Sequence, residues 1–177
     1  MSPERRQKRL PRFTLEEVTR LAKETAIQSG GHTPTVIAEG ASGSAIGQLK
    51  NLPGTHQARA RSFYTAGHAL AQSGEVGVLK QVFLISEAWI SIAAGDKALE
   101  MPPSQDPDRK EVLVVYSLRV EGHRADAVFL EMLRDAEGQL ADLKDFKPGG
   151  EEEGRLENPL LDAFVDGFRV AMSQKLN

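Results

Sequence analysis

The chain has 177 residues, 40% of them hydrophobic and 27% charged, and its formal net charge is -3 at pH 7. These ordinary globular values argue against a disordered chain, and the negative charge provides no overall attraction to nucleic acid. No apolar stretch approaches the roughly 20 residues of a membrane-spanning helix, and the basic N-terminal segment lacks the apolar region of a secretory signal. Because the chain also has no cysteine, we expect a cytoplasmic protein without disulfides, thiolate chemistry or membrane association.

The N-terminal segment differs in pattern from the residues that follow it. Residues 1–13 carry five basic side chains against one acidic side chain and show no recurring apolar positions, which predicts a flexible tail followed by a single domain over residues 14–177. Thr14 and Glu17 match a capping box, so a helix is expected to begin here and to end at Gly30. The apolar residues that share one face of this helix are Leu15, Val18, Leu21, Ala22 and Ala26.

Residues 35–48 combine a short β-branched run with a stretch rich in glycine and serine. The run predicts a strand, and the stretch is typical of either a hairpin turn or a loop that cradles phosphate. A phosphate loop needs lysine after its last glycine, whereas Gln48 follows Gly47, so the hairpin is favoured. Farther along, Thr55 as an N-cap and Gly74 as a stop predict a second helix.

The second half of the chain is dominated by predicted strands. Residues 78–91 and 111–122 predict two long strands, and residues 125–135 and 139–146 predict two more after short turns. Short turns between consecutive strands favour antiparallel pairing. Asn158 and Pro159 match the N-cap and first position of a C-terminal helix over residues 159–174.

The order of these elements predicts the fold class. We expect an α+β domain in which an antiparallel sheet of about five to six strands is flanked by about two to three helices. The order is α-β-β-α-β-β-β(-β)-α, which resembles the layout of roadblock and longin-type domains. That resemblance implies a non-enzymatic module that binds partners and often dimerises.

The connection between the two long strands is the first candidate for a functional surface. Its length of roughly 19 residues exceeds what compact domains commonly contain without a function, and three prolines stiffen it. Nearby, Glu87 and Trp89 project to one face of the preceding strand. The six candidate binding residues are Glu87, Trp89, Ser104, Asp106, Asp108 and Arg109. Trp89 and Arg109 are the expected anchors, and the alternative is a surface loop whose side chains satisfy their own turns.

Glu87 is a carboxylate within an otherwise apolar segment. An unpaired charge there is costly if it is buried, so we expect an ion pair with Arg109, or with Arg59 or Arg61 of the second helix. A structural pair of this kind is favoured over a catalytic role.

Two further functions remain open at this point. One is a divalent-metal-dependent hydrolase, because carboxylate oxygens suit Mg²⁺ or Mn²⁺. Its candidate ligands are Glu39, Glu87, Asp106 and Asp108. The other is an accessory nucleic-acid binder that works through the basic tail.

The favoured prediction is a non-enzymatic binding module, expected to form a homodimer and to bind an unknown protein or small molecule. No cofactor and no catalytic residue are predicted, and a nucleic-acid partner is disfavoured by the net charge.

Overall fold

The computed structural model describes residues 12–90, 105–148 and 158–176. In these segments six strands form one antiparallel sheet that is flanked by three helices, which confirms the predicted α+β class. The strands are β1 Thr35–Gly40, β2 Ser44–Gln48, β3 Leu79–Ile90, β4 Lys110–Arg119, β5 Arg124–Arg134 and β6 Leu140–Phe146. The helices are α1 Leu15–Ser29, α2 His56–Ser73 and α3 Pro159–Lys175.

The strands lie in the order β2-β1-β3-β4-β5-β6, so β2 and β6 are the two edges. The last four strands form an antiparallel meander, in which short turns join β4 to β5 and β5 to β6 as predicted, and the long connection joins β3 to β4. The β1-β2 hairpin joins this meander because β1 pairs antiparallel with β3, after the chain has crossed one face of the sheet as α2.

Alternation along the strands divides the core into two layers. Ile37, Phe83 and Leu113 point to the face covered by α1 and pack against its buried residues. Val36 and Leu84 point to the opposite face, which is covered by α2 and α3. Because β3 and β4 are covered on both sides, their buried runs are continuous instead of alternating between apolar and polar residues.

Helix α1 has the ends that the sequence predicts. Thr14 is the N-cap of a complete capping box with Glu17, and Gly30 ends the helix in the left-handed conformation. Its buried residues include Val18 and Ala22 as expected. Leu21, in contrast, is 39% exposed, because α1 contacts the sheet along a narrower stripe than five apolar positions would cover.

Helices α2 and α3 contact each other through glycine. A Cβ on Gly67 would collide with the carbonyl oxygen of Phe164, and a Cβ on Gly167 would collide with that of Tyr64. Lys175 of α3 also donates to the last carbonyls of α2, at 2.8 Å from Ala71 O and 2.9 Å from Gln72 O. The cation complements the negative end of α2, so the two helices form one paired layer.

Two predicted segments lie partly outside the described residues. The long connection between β3 and β4 is described only from Gln105 onward, and the predicted tail only at Arg12 and Phe13. Phe13, the last residue of the predicted tail, is partly buried against the core beneath α1, and its N–H donates to Glu39. Among the described helices, none combines the length and apolar composition required to cross a bilayer.

Candidate functional site

Trp89 lies near the end of β3, on the face of the sheet that carries α1. It is 46% exposed, and it stands opposite Glu111 of β4 in the strand register. Arg109 covers part of the indole, with Cζ 4.5 Å from the ring centroid. At an exposed site such a cation-π contact stabilises the pair by about 0.5–1 kcal/mol, so it favours this orientation of the ring while much of the ring still faces solvent.

The loop residues before β4 place Arg109 where it meets the indole. Asp106 is buried, and its Oδ1 accepts the N–H of Asp108 at 2.9 Å. Its carbonyl accepts the N–H of Arg109 at 3.2 Å. Asp106 therefore stabilises a turn, because its side chain accepts a hydrogen bond from the backbone two residues later. This geometry agrees with the alternative in which the loop side chains satisfy their own turns. Asp108 is exposed at the corner of the turn, and Ser104 lies outside the described residues.

Glu87 is exposed and takes a backbone partner in place of the predicted arginine. Its Oε1 accepts the N–H of His32, just beyond the end of α1. A Cβ on Gly31 would lie 2.8 Å from the same oxygen, so glycine leaves room for the carboxylate to approach the chain. The expected ion pair is wrong, because none of the ion pairs within the described residues involves Glu87. Arg109 stacks on Trp89 instead, and Arg59 of α2 donates to Pro53 O, which precedes that helix.

Glu111 and Arg134 form the ionic centre of this region. Arg134 Nε and Nη2 donate to the two oxygens of Glu111 at 2.7 and 2.6 Å, a bidentate pair. Arg134 Nη1 also donates to the carbonyl oxygens of Gly30 at 3.3 Å and Gly138 at 3.2 Å. One guanidinium therefore ties β4, the β5-β6 turn and the end of α1 together.

The positive charge of Arg134 lies beside the negative charges of Glu111 and Glu87. The hydrogen bonds to Glu111 raise the pKa of Arg134 above its usual value, and the negative charges of Glu111 and Glu87 add to the effect. We call this surface the Trp89 patch and define it as Glu87, Trp89, Arg109, Glu111 and Arg134. The patch presents an exposed aromatic ring that Arg109 partly covers, together with two carboxylates and the guanidinium group of Arg134.

The four carboxylates proposed as metal ligands are not brought together. Glu39 pairs with Gln81, six residues before Glu87 on β3, which separates the two carboxylates along the sheet by roughly 20 Å at ~3.3 Å per residue. Asp106 uses its oxygen in the turn described above. Within the three described segments, no group of three histidine, aspartate or glutamate side chains is arranged to hold a metal ion.

Glu39 lies instead in a groove at the other end of the sheet. The carboxylate is buried, and Oε1 accepts the N–H of Phe13 at 2.7 Å, so the end of the basic tail is attached here. We call this the Glu39 groove. Its cationic lining residues are Arg12, Lys80, Arg119, Arg124 and Arg169. None of these five forms an ion pair with another described residue, while Glu121 and Asp126 supply further negative charge.

The glycine-rich stretch forms a hairpin turn between β1 and β2. The backbone N–H groups of Gly40, Ala41 and Ser42 donate to Gly43 O, Val78 O and Val76 O respectively. A loop that cradles phosphate needs such donors to point at the anion, and here three consecutive donors are already used. The structure therefore agrees with the hairpin that the sequence favoured.

Sequence reasoning singled out Glu87, Trp89 and Arg109 but missed Arg134. A single arginine at the end of a strand carries no distinctive pattern, and its contact with Glu111 depends on the β4-β5 register. Glu111 gave a weak signal, since it precedes Leu113 and Val115 by two and four positions and so shares their face. His32 contributes only its backbone N–H, which no side-chain pattern can reveal.

Comparisons with protein-family models, with curated proteins and with solved structures find no match to this chain. The resemblance to roadblock and longin-type domains therefore remains one of element order. Any functional argument has to come from the geometry of the Trp89 patch and the Glu39 groove themselves.

Proposed function

We propose that this protein is a non-enzymatic interaction module of the cytoplasm, that it acts as a homodimer, and that it binds a partner through the Trp89 patch. The observation that carries the proposal is Trp89 itself, which is 46% exposed and held by Arg109 at 4.5 Å. Tryptophan and arginine are the residues most enriched at the energetic centres of protein interfaces. A ring that is already oriented loses little conformational entropy when a partner packs against it.

The surroundings of Trp89 support a recognition role. Arg134 joins two strands and the end of α1, so the patch is built on regular elements whose relative position is fixed. Glu111 and Arg134 bond to each other and Glu87 bonds to the backbone of His32. Because these charged groups are held in place by hydrogen bonds, they can favour a partner with complementary charges at the rim of the interface, which adds specificity.

The test compares two variants of the full chain as baits in extracts of the source cells. Trp89→Ala removes the proposed anchor, whereas Val170→Ala removes a 38% exposed apolar side chain from α3 on the other helical layer. A partner retained by the unchanged protein and by Val170→Ala is then purified and titrated against all three. We expect Trp89→Ala to weaken its affinity by roughly 30-fold, the effect of losing about 2 kcal/mol at an interface centre.

Fold and metal measurements accompany the titration. Circular dichroism should give the same spectrum for Trp89→Ala, because the residue is half exposed at the end of a strand. Equal affinity of both variants for the partner would reject Trp89 as the anchor. A stoichiometric divalent metal in the isolated protein, or activity that depends on Mn²⁺, would instead favour the hydrolase alternative.

A second candidate function is nucleic-acid binding at the Glu39 groove. It is favoured by one observation: Phe13 is attached to Glu39 beside five cations, none of which forms an ion pair with another described residue. Residues 1–11 add Arg5, Arg6, Lys8 and Arg9 next to this position in the sequence. Cations free to neutralise phosphates release counterions on binding, which is the main source of affinity for nucleic acid.

A further inference from the structure

Strand β2 is a sheet edge that lacks two of the features that usually prevent edge-to-edge pairing, charged side chains and proline. Its five residues, Ser44–Gln48, contain no charge and no proline, and all but Ala45 are exposed. The opposite edge, β6, carries three exposed charges at Asp142, Lys144 and Asp145. Charged side chains on an edge disfavour the approach of a second strand, so only β6 is protected in this way.

The hydrogen bonds of the hairpin determine which backbone groups of β2 remain available. Gly40 N–H donates to Gly43 O, and Leu49 N–H donates to Pro34 O. Because hydrogen-bonded and non-hydrogen-bonded pairs alternate along an antiparallel ladder, the odd-numbered residues from 43 to 49 bond inward to β1. The backbone N–H and C=O groups of Ser44, Ile46 and Gln48 therefore point away from the sheet.

Those three residues match themselves under a two-fold rotation. If the axis passes beside Ile46, Ile46 meets its own copy, and Ser44 meets Gln48 of the second chain on either side. All three outward residues then form hydrogen-bonded pairs, each exchanging two bonds. Moving the register by two residues in either direction leaves one outward residue unpaired on each chain, so the symmetric register uses the edge most completely.

The side chains agree with the same register. Ile46 is the central residue of β2 and is 65% exposed, on the α1 face beside Ile37. In the symmetric register the two Ile46 side chains lie directly opposite each other, and such β-branched cross-strand pairs are stabilising. Ala45 stands opposite Gly47, where small side chains permit the close approach of a non-hydrogen-bonded pair. No like charges are opposed.

We propose that two copies of this chain dimerise by antiparallel pairing of their β2 strands about a two-fold axis at Ile46, giving one continuous twelve-stranded sheet. The inference supplies the interface for the homodimer in the proposed function and rests on that part of it. An interface made mainly by two five-residue strands is smaller than the ~1,200 Å² at the lower limit of stable complexes. The dimer therefore dissociates on dilution.

Cysteine cross-linking tests the position of the axis. The chain has no cysteine, so Ile46→Cys introduces a single thiol. Hydrogen-bonded antiparallel pairs have Cα atoms about 5.5 Å apart, within the range of a disulfide, so mild oxidation should join two chains. Val78→Cys is the matched control, because Val78 is 63% exposed and lies outside β2. It should cross-link far less at the same protein concentration.

The affinity of the dimer is tested with one charge variant, Ile46→Lys, and one backbone variant, Ile46→Pro. Sedimentation over a range of protein concentrations gives the dissociation constant of each. Ile46→Lys places two cations opposite each other at the axis and should raise the dissociation constant of the dimer at least ~10-fold. Val170→Lys adds the same charge elsewhere and should leave it unchanged. Of the backbone hydrogen-bonding groups of β2, Ile46→Pro removes one outward N–H, so this variant should also weaken the dimer. Circular dichroism confirms that each variant is folded.

The outcomes separate this inference from the proposed function. A dimer that survives both Ile46 variants, or equal cross-linking of the two cysteine variants, would reject the β2 interface while keeping the homodimer. A protein that is monomeric at every concentration would reject both. Partner binding that depends on Trp89 in an Ile46→Lys monomer would keep the Trp89 patch and show that the two surfaces act separately.

Discussion

Glu17 shows how one exposed side chain connects protonation with the stability of a helix. Thr14 N–H donates to Glu17 Oε2 at 2.8 Å, and Glu17 N–H donates back to Thr14 Oγ1 at 3.1 Å. The hydrogen bond from the Thr14 backbone lowers the pKa of the Glu17 carboxyl below its usual value. The folded chain therefore stabilises the charged form of Glu17 more than the unfolded chain does.

This pKa shift predicts a pH-dependent effect of Glu17→Gln. Glutamine keeps an acceptor oxygen but has no charge, so the variant should unfold at a lower temperature than the unchanged protein at pH 7. Since the folded pKa is depressed, the contribution of Glu17 is complete above the unfolded pKa and is lost as pH falls through the folded value. The difference in melting temperature should shrink in acid.

Glu16→Gln is the control for this measurement. Glu16 lies in the same first turn and interacts with the same helix dipole, but it takes no part in the capping box. Thermal unfolding of the two variants between neutral and acidic pH separates the hydrogen-bonded carboxylate from a general effect of charge. Equal pH profiles for both variants would mean that the capping box does not set the pKa of Glu17.

Residue-level expectations succeeded where the interaction is local in sequence. Thr14 and Glu17 are three positions apart, so their spacing alone identifies the capping box. Trp89 and Arg109 were selected because of their chemistry, yet their contact depends on the return of the chain into β4 and on the β3-β4 register. The partner of Glu87 also depends on tertiary structure, since its carboxylate accepts the backbone N–H of His32, 55 positions away, instead of pairing with an arginine.

At the scale of elements, α2 and α3 are held together by a pair of glycines that sequence periodicity does not explain. Gly67 and Gly167 each face a carbonyl oxygen of the other helix, at Phe164 and Tyr64. Such a close approach brings backbone against backbone and permits Cα–H contacts to carbonyl oxygens. Glycine within a helix costs about 1 kcal/mol relative to alanine, so its presence in both helices indicates that the contact offsets this cost.

We predict that Gly67→Ala destabilises the protein although alanine is the better helix former. The new methyl group would overlap Phe164 O and force the helices apart, with a net cost of about 1–3 kcal/mol. For a domain of this size each kcal/mol lowers the melting temperature by roughly 2–4 °C, which calorimetry resolves.

Gly54→Ala is the matched control for this change. A Cβ on Gly54 meets no atom within 4 Å, so the same substitution should leave the melting temperature nearly unchanged or raise it slightly. If Gly67→Ala were as stable as Gly54→Ala, the close packing of α2 on α3 would be contradicted.

The elements themselves were largely predictable, and their partners were not. Capping signals located both ends of α1 and α2 and the start of α3, and strand signals located β3 to β6 to within a few residues. The pairing of β1 with β3 joins residues that are 39 to 50 positions apart, and no short-range pattern encodes it. The role of Gly67 and Gly167 depends likewise on the contact between the two helices, which no pattern within either helix encodes.

At the scale of the molecule, the two ends of the α1 face carry different surfaces. Glu39 and the N-terminus of α1 lie at one end, and Trp89 and the C-terminus of α1 lie at the other. A partner at the Trp89 patch and an anion at the Glu39 groove would therefore not compete for the same atoms.

The second candidate function can be tested by removing residues 1–11. If that function holds, the shortened chain should bind single-stranded RNA more weakly than the full chain, and its affinity should fall less steeply as salt increases. Fluorescence anisotropy at about 50 and 200 mM salt measures both quantities, with a slope change of roughly 0.7 per lost phosphate contact.

An Arg119→Gln, Arg124→Gln variant of the full chain separates the groove from the tail. Both arginines line the Glu39 groove on described strands, so their loss should add to the effect of removing residues 1–11 if the groove itself contacts phosphate. Identical RNA affinity for the full, shortened and doubly substituted chains would exclude nucleic acid as the ligand of this end.

The arrangement of the two core layers also affects how the chain folds during synthesis. The layer beneath α1 uses residues between Phe13 and Leu143, all made before α3. The opposite layer needs Phe164, Val165 and Phe168 of α3 to cover Val36, Val82 and Leu84. Once β6 has left the ribosome and before α3 has followed it, the residues of the α1 side are all present, whereas the opposite side still lacks α3 and leaves apolar surface exposed, the kind of transient state that chaperones recognise.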